Sequence, residues 1–487
     1  MTYNRVFLAK ISLLFVLLFA ACKTIDDKIQ KANEDGTISP DEFQNIAKEL
    51  RADRKKNRTD FDTDDKIRNY INTVLGKSSP PPTPQPTPIG VGMPTLVDKP
   101  NYLVFIENSS SMDGYVEGNS EFKSSVYSFL TDIINKNYAI SDSMKLFYIN
   151  SKMIPFPDDV KKFIETLEVK TFTKYGGNRG ESDLNMVLKR VLDTTKNASV
   201  AVLISDFVFS PGANRDANNY LSQQSSGIKK IFSDYLFQNK NAATVIIKSN
   251  SSFKGVYYDY LNKAHPIKEK RPYYIWLIGD HAYMKKLTEK VKLEKIGGEV
   301  EAIHSFYPLS IVGSPKYKIL RCDKLGEYEI DKSSPHNSII NARAKGRGAD
   351  VLRVAVGIDM AQLGLDGTFL QSPTNYEISN KDYTIEVQPI TEQMKQGNPE
   401  LKDFTHKLLL TTSNVRKEQL EISLKRIIPQ WVENSTSQND VEQTGDELNK
   451  TFGFRYLFKG VDDAYRSTAA TGTNADIYFK IVLKIDK

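Results

Sequence analysis

The sequence predicts an α/β doubly wound domain followed by an antiparallel β-sandwich, with a short helical segment at the amino end. Three observations carry this. Between residues 99 and 310, purely apolar runs alternate with stretches of helical spacing. Beyond residue 311 the apolar residues recur at every second position instead. A proline-rich stretch over residues 77–98 separates both from a polar amino-terminal part.

At the start, Arg5 and Lys10 precede an apolar run over residues 11–21, which suits a signal peptide core and is too short to span a bilayer. The run closes on Phe19-Ala20-Ala21-Cys22, which resembles a bacterial lipobox, with Phe19 where Leu is usual. That resemblance implies removal of residues 1–21 and lipidation of Cys22, whose acyl chains would anchor the protein at about 0.8 kcal/mol per buried methylene. Lys23-Thr24-Ile25-Asp26-Asp27 looks like the short export signal of Bacteroidota surface lipoproteins, which implies the outer membrane and its outer face. No later segment reads as transmembrane.

Residues 22–76 read as the anchor and short polar helices. Within them, residues 31–43 resemble half an EF-hand, with Gly36 at the sharp turn, Ile38 at the apolar position and Glu42 at the last ligand position. Lys31 stands where the first carboxylate is needed. A helix-turn-helix with an Asp-Gly turn and Ser39 as N-cap is therefore expected rather than a calcium site. The stretch that follows holds Pro80, Pro81, Pro82, Pro84, Pro86, Pro88 and Pro94 and reads as an extended, semi-rigid spacer.

In the α/β part, residues 102–106, 145–149, 200–204, 244–247 and 274–278 are strand-like, and residues 122–134, 184–192, 228–236 and 283–291 have helical spacing. Purely apolar strands belong in a sheet covered on both faces, here expected to be parallel. In the sandwich, residues 352–358, 383–387, 420–424 and 477–485 alternate apolar with polar, so one face of each strand is buried and one is wet. Phe454, Phe458, Val461 and Tyr465 sit at helical spacing, a helical insertion whose aromatic stripe is expected in the core.

Composition excludes several classes. Lys and Arg number 66 against 60 Asp and Glu, too even a balance to argue for nucleic acid. Cys22 and Cys322 are too few for a disulfide framework or a cysteine metal centre, so any metal must be held by oxygen or histidine. The five histidines lack zinc-site spacing and no Gly-x-Ser-x-Gly elbow occurs. A hydrolase using Ser109 or Ser111 with Asp206 would lack a nearby base, so no enzyme and no small-molecule substrate are expected. The basic loop over residues 343–348 lacks interleaved aromatics and reads as a solvated turn.

Ligands bind at the carboxyl ends of strands in open α/β sheets. There the sequence places Glu107-Asn108-Ser109-Ser110-Ser111, then Glu181-Ser182-Asp183 after a glycine-rich loop, then Ser205-Asp206-Phe207. Hydroxyls and carboxylates converging on one point suit magnesium or manganese. In order and spacing this set resembles the von Willebrand factor A domain and its metal-ion-dependent adhesion site, over residues 99–310. The resemblance implies Ser109 and Ser111 as hydroxyl ligands, Ser182 in place of the family's threonine, Asp206 as the later carboxylate, and Glu107 where the family has aspartate. It also implies that an under-neutralised Mg²⁺ or Mn²⁺ is completed by a carboxylate from a partner protein. The expectation is thus a lipid-anchored envelope protein that binds another protein, with a metal-free scaffold subunit as the alternative.

Overall fold

The computed structural model describes residues 24–32, 38, 40–52, 61, 64–75, 99–135, 140–141, 143–180, 183–196, 198–211, 216–345, 350–469 and 474–487. The chain divides into two compact units, Met1–Leu96 and Val97–Lys487. Cys22, Ser182, the turn at residues 33–37 and the spacer at residues 77–98 lie outside the described residues.

In the smaller unit three helices, α1 (Ile25–Ala32), α2 (Pro40–Ala52) and α3 (Asp64–Val74), turn one apolar face inward. Ile29, Ile46, Leu50, Phe61, Ile67 and Ile71 form its core. Lys28 pairs with Glu49 at 2.7 Å, and the Tyr70 hydroxyl donates to Asp26 at 2.6 Å.

The larger unit is built on a seven-stranded mixed sheet. Its strands are β1 (Asn101–Glu107), β2 (Ser143–Ile149), β3 (Met153–Pro155), β4 (Ser199–Ser205), β5 (Ala242–Tyr258), β6 (Ala264–Asp280) and β7 (Glu299–Phe306), in the spatial order β3-β2-β1-β4-β6-β5-β7. β1 lies parallel to β2 and β4, and the other pairings are antiparallel. Every residue of β1 and β4 after the first is buried, as their unbroken apolar runs require. The flanking helices include α4 (Asp113–Val116), α5 (Glu121–Ile134), α6 (Leu184–Thr194), α7 (Ala217–Gln238) and α8 (His281–Lys290). Capping fixes where several of them begin: Ser120, Asp183 and Asp216 accept from the backbone N–H of Lys123, Met186 and Asn219.

The expected parallel arrangement fails in one half of this sheet. The runs at residues 244–247 and 274–278 are the inner parts of a single antiparallel hairpin, β5–β6. Burial on both faces makes a strand apolar whichever way it runs, so composition predicts the burial and leaves the direction open. The outer part of the hairpin, residues 251–273, continues past β4 and β7 and rises about 25 Å beyond the sheet.

Residues after 311 form two further sheets and a small parallel pair of strands, β16 (Thr436–Ser437) with β17 (Thr451–Phe452). β8 (Tyr317–Ile319), β9 (Glu327–Ile330), β10 (Ser338–Arg343), β11 (Leu352–Ile358), β12 (Tyr376–Ile378), β13 (Thr384–Pro389), β14 (His406–Thr412), β15 (Glu418–Lys425) and β18 (Ile477–Ile485) fall into the orders β12-β15-β18-β10-β9 and β13-β14-β11-β8. All their pairings are antiparallel except β10 with β18. Val354 and Leu410 of one sheet join Ile422 and Leu483 of the other in a single core, which runs on without a break into that of the seven-stranded sheet.

The helical insertion, α9 (Phe454–Arg466), packs against α7 and β7 rather than within these sheets. The partition at residue 310 therefore does not divide the core: the chain returns to the first sheet before β18 closes the second. Gly460 permits the contact, because a Cβ there would stand 2.6 Å from the Ser225 carbonyl oxygen and 2.9 Å from the Ile228 side chain. Gly460→Ala is expected to cost about 1–3 kcal/mol. The check is a lower urea midpoint at unchanged slope.

Candidate functional site

β1 leads to β2 on one side and the chain later crosses to β4 on the other, so the carboxyl ends of β1 and β4 flank the point where strand order reverses. Glu107 ends β1, Ser205 ends β4, and Asp206 follows directly. The two ends are joined directly, since the Ser205 hydroxyl donates to Glu107 Oε2. Glu107, Ser109 and Asp206 are buried and Ser111 is half-buried.

Past β1 the chain winds into a short 3-10 turn, Ser110–Met112. Ser109 Oγ and Ser111 Oγ lie 3.0 Å apart, and Ser111 is near enough to the Asp206 carboxyl to pull its pKa down. Past β4 the Val208 N–H donates to Asp206 Oδ1 at 3.4 Å, and the Phe207 N–H to Ser205 Oγ at 2.8 Å. Phe207 holds a left-handed backbone (φ 51°), which costs energy for a residue with a bulky side chain. Its ring stacks on Trp276 at 4.6 Å, which helps to keep it there.

Neighbouring loops lock this turn in place. Arg179, from the glycine-rich loop, donates to the Asn108 carbonyl at 2.9 Å, reaches Thr173 Oγ1 at 3.1 Å and pairs with Asp113. Asn108 donates to the Phe172 carbonyl at 3.0 Å and accepts from Asn150 at 2.8 Å. Gly177 must be glycine on two counts: its φ is +89°, and a Cβ would strike the Asn150 side chain.

The outer part of the β5–β6 hairpin lies over α4. Gly114 and Gly255 allow the approach, since a Cβ on the first would enter the Phe253 ring and one on the second would meet the Gly114 backbone. Tyr115 packs edge-on against Phe253 at 5.0 Å and donates to the Pro272 carbonyl at 2.5 Å. Arg271 is buried here, its guanidinium 4.1 Å from the Tyr257 ring centroid. It donates to Gln443 at 2.5 Å and to the Lys450 carbonyl at 3.5 Å. Asp440 accepts from the Tyr257 hydroxyl and, at 3.0 Å, from the Tyr260 N–H. A segment between β15 and β18 thus returns to strap the hairpin down.

Burial pushes the Asp206 carboxyl above the ordinary carboxylate range; hydrogen bonds from Ser111 and Val208, and then the Arg271 guanidinium, pull it down only in part. The carboxylate is short of positive charge, which a divalent cation would supply. The donors fit such an ion. Adjacent ligands on octahedral magnesium with bonds of about 2.1 Å lie about 3.0 Å apart, the spacing of the two serine hydroxyls. Among the described residues no three His, Cys, Asp or Glu side chains group as metal ligands, so an ion here would rest on hydroxyls and at most two carboxylates.

The structure therefore brings Ser109, Ser111 and Asp206 together at the ends of β1 and β4 and places Glu107 beside them through Ser205. Ser182 falls outside the described residues, directly before Asp183, the N-cap of α6. Sequence reasoning missed three contributors. Ser205 carries a signal, being the last residue of the apolar run, whereas Arg179 and Arg271 look locally like any other surface arginine. Elsewhere, Cys322 is half-buried and burial pushes its thiol up, away from the reactive thiolate.

The chain matches no protein-family model, no curated protein and no solved structure. What the fold and site define is a mixed α/β unit with an oxygen-rich crevice at the carboxyl ends of two parallel central strands.

Proposed function

We propose that this protein is a lipid-anchored cell-envelope protein that captures a partner protein through a divalent-metal site at this crevice, in the manner of a von Willebrand factor A-like domain. One observation carries the reading: Ser109, Ser111 and Asp206 gather at the strand-order reversal, and the two hydroxyls stand 3.0 Å apart, a spacing that adjacent ligands of an octahedral ion share. The order β3-β2-β1-β4 supports the resemblance, being that of one half of a doubly wound sheet. Bound there, Mg²⁺ or Mn²⁺ would act as a Lewis acid with an open position for a partner's carboxylate. Ser109, Ser111 and Asp206 would hold it, and Glu107, oriented by Ser205, would add negative charge at its edge.

Anchoring is assigned to lipid on Cys22 at the outer membrane, facing the cell exterior. In its support, no helix among the described residues is long and apolar enough to cross a membrane. The role is binding rather than catalysis.

A metal-free scaffold subunit of an envelope or secretion assembly is the second reading. Ser205 on Glu107, and Arg271 facing Asp206, favour it by giving both carboxylates internal partners. Calorimetric titration of MnCl₂ into the whole chain separates the two. The expected result is saturable binding that Asp206→Ala removes and EDTA reverses; an unmodified chain that takes up no manganese would leave the scaffold reading standing. A fragment ending near residue 312 would be a poor substitute, because the strap and α9 that pack on this sheet lie beyond it.

A further inference from the structure

Arg179 holds the serine-bearing turn at three points. Its carbonyl accepts from the Ser110 N–H at 2.9 Å, its Nε donates to the Asn108 carbonyl at 2.9 Å, and an outer guanidinium nitrogen pairs with Asp113. Along the chain these points alternate with the two hydroxyls: Ser109 lies between Asn108 and Ser110, and Ser111 between Ser110 and Asp113. The other outer nitrogen is fixed on Thr173 Oγ1 at 3.1 Å, in the short helix Val169–Lys174. The loop that carries Arg179 has a firm base just past β2, where Asn150 donates to the Gly176 carbonyl at 2.7 Å and the Asn178 N–H donates to Ser151 Oγ at 2.6 Å. The turn does not cap itself. Ser109, at its N-cap, makes no side-chain capping bond, so its hydroxyl is left to face Ser111 while Arg179 supplies the order.

We infer that Arg179 is a positioning residue for the divalent ion: its clamp sets Ser109 and Ser111 at ligand spacing before the ion arrives. The inference rests on the reading that the crevice binds Mg²⁺ or Mn²⁺, and it assigns to a residue that touches no ion the task of ordering two that do. A turn ordered in advance loses little conformational freedom when the ion binds. Charge is the apparent objection, since a guanidinium beside a cation repels it. Asp113 answers it by pairing with the same guanidinium, so the clamp adds geometry at the site without adding net charge.

The test is calorimetric titration of MnCl₂ into the whole chain carrying Arg179→Lys or Arg179→Gln, with urea midpoints and hydrogen exchange of the metal-free proteins measured alongside. A positioning role predicts that both variants bind manganese about ten- to a hundredfold more weakly, the usual loss when a group that supports metal ligands is removed. Lysine does not rescue, because one ammonium cannot fork to Asn108, Thr173 and Asp113 in the fixed geometry of a guanidinium. A role through charge alone predicts the opposite sign: Lys would match the unmodified chain, and Gln, which removes a cation and frees the Asp113 carboxylate, would bind manganese more tightly. A role in stability alone predicts a lower urea midpoint with manganese affinity unchanged. Either of these last two results overturns the inference. In the metal-free proteins, residues 108–116 should exchange faster in both variants than in the unmodified chain; equal exchange would also overturn it. Where neither variant folds, Thr173→Val, at an exposed position, removes one prong of the clamp and should weaken manganese binding in the same direction. An unmodified chain that binds no manganese removes the proposed function and this role together, whereas variants that bind as well as a binding unmodified chain remove the role alone.

Discussion

Asp462→Ala is expected to lower the stability of the larger unit by about 3–5 kcal/mol, the usual loss when one member of a buried ion pair is removed. Asp462 lies on α9 and is 5 % exposed. It accepts from Arg426 Nε at 2.8 Å and from Arg466 Nε at 2.6 Å. Arg426 follows β15 and is 3 % exposed, so burial would keep solvent from replacing the lost bond. Arg466 is less dependent, because it also pairs with Asp476 and donates to the Arg426 carbonyl. The cluster therefore ties the helix on the first sheet to strands of the second. Urea unfolding followed by tryptophan emission is the measurement, and both tryptophans, Trp276 and Trp431, lie in the larger unit. Replacing both partners, Asp462→Leu with Arg426→Met, should recover most of the loss, since a buried pair gives little net stability over apolar groups of similar volume. A single variant as stable as the unmodified chain would show that water reaches Arg426 and that the pair does not hold the sheets together.

Acid should weaken the same region through His304. This side chain of β7 is 1 % exposed, between the rings of Phe306 at 4.6 Å and Phe458 at 4.8 Å, and neither ring nitrogen has a hydrogen-bond partner among the described residues. Burial holds its pKa down to about 3; Asp462 pulls it up and Arg426 pushes it down further. In the unfolded chain the group titrates near about 6.5. Below that pH the unfolded state binds a proton that the folded state refuses. The stability contributed by the neutral ring is complete above about pH 6.5 and drains away toward pH 3, at about 1.4 kcal/mol per pH unit. At pH 5 the loss from this one group is about 2 kcal/mol. His304→Leu, of similar bulk and without a titrating group, should flatten the stability profile between pH 7 and pH 5 by that amount. An equal slope in the variant would place the acid sensitivity elsewhere.

How much of this was legible beforehand differs from element to element. β1 and β4 announce themselves because strands buried on both faces admit few residues that are not apolar, and the candidate ligands follow from where those runs stop. The hairpin is harder. In the outer part of β5 and the residue after it, Ser251, Phe253, Tyr257 and Asp259 are buried while Ser252, Lys254 and Tyr258 are exposed, so a period of two is present but half its buried residues are polar. Arg271 sits at the end of Lys268-Glu269-Lys270 with nothing local to mark it as buried. Its burial is made by Tyr257, Gln443 and Lys450, the last two over 170 residues away in sequence. α9 was recognisable as a core helix from its aromatic stripe, but periodicity says that a face is buried and not which sheet buries it. Strand direction in β6 was illegible for the same reason.

The path of β1 has a mechanical consequence. The described chain of the larger unit starts just before Asn101, at one end of this strand, and the crevice lies at the other, beyond Glu107. β1 is flanked on both sides by parallel partners, in register over seven residue pairs with β2 and six with β4. A pull between a tether at Asn101 and a cargo held at the crevice would run along the strand axis, across which those hydrogen bonds lie. They would have to shear as a set, instead of peeling one after another as they would from a strand pulled sideways at the edge of the sheet. In the proposed role the central strand would serve as a tension member, and force on the cargo would meet the stiffest direction the sheet has.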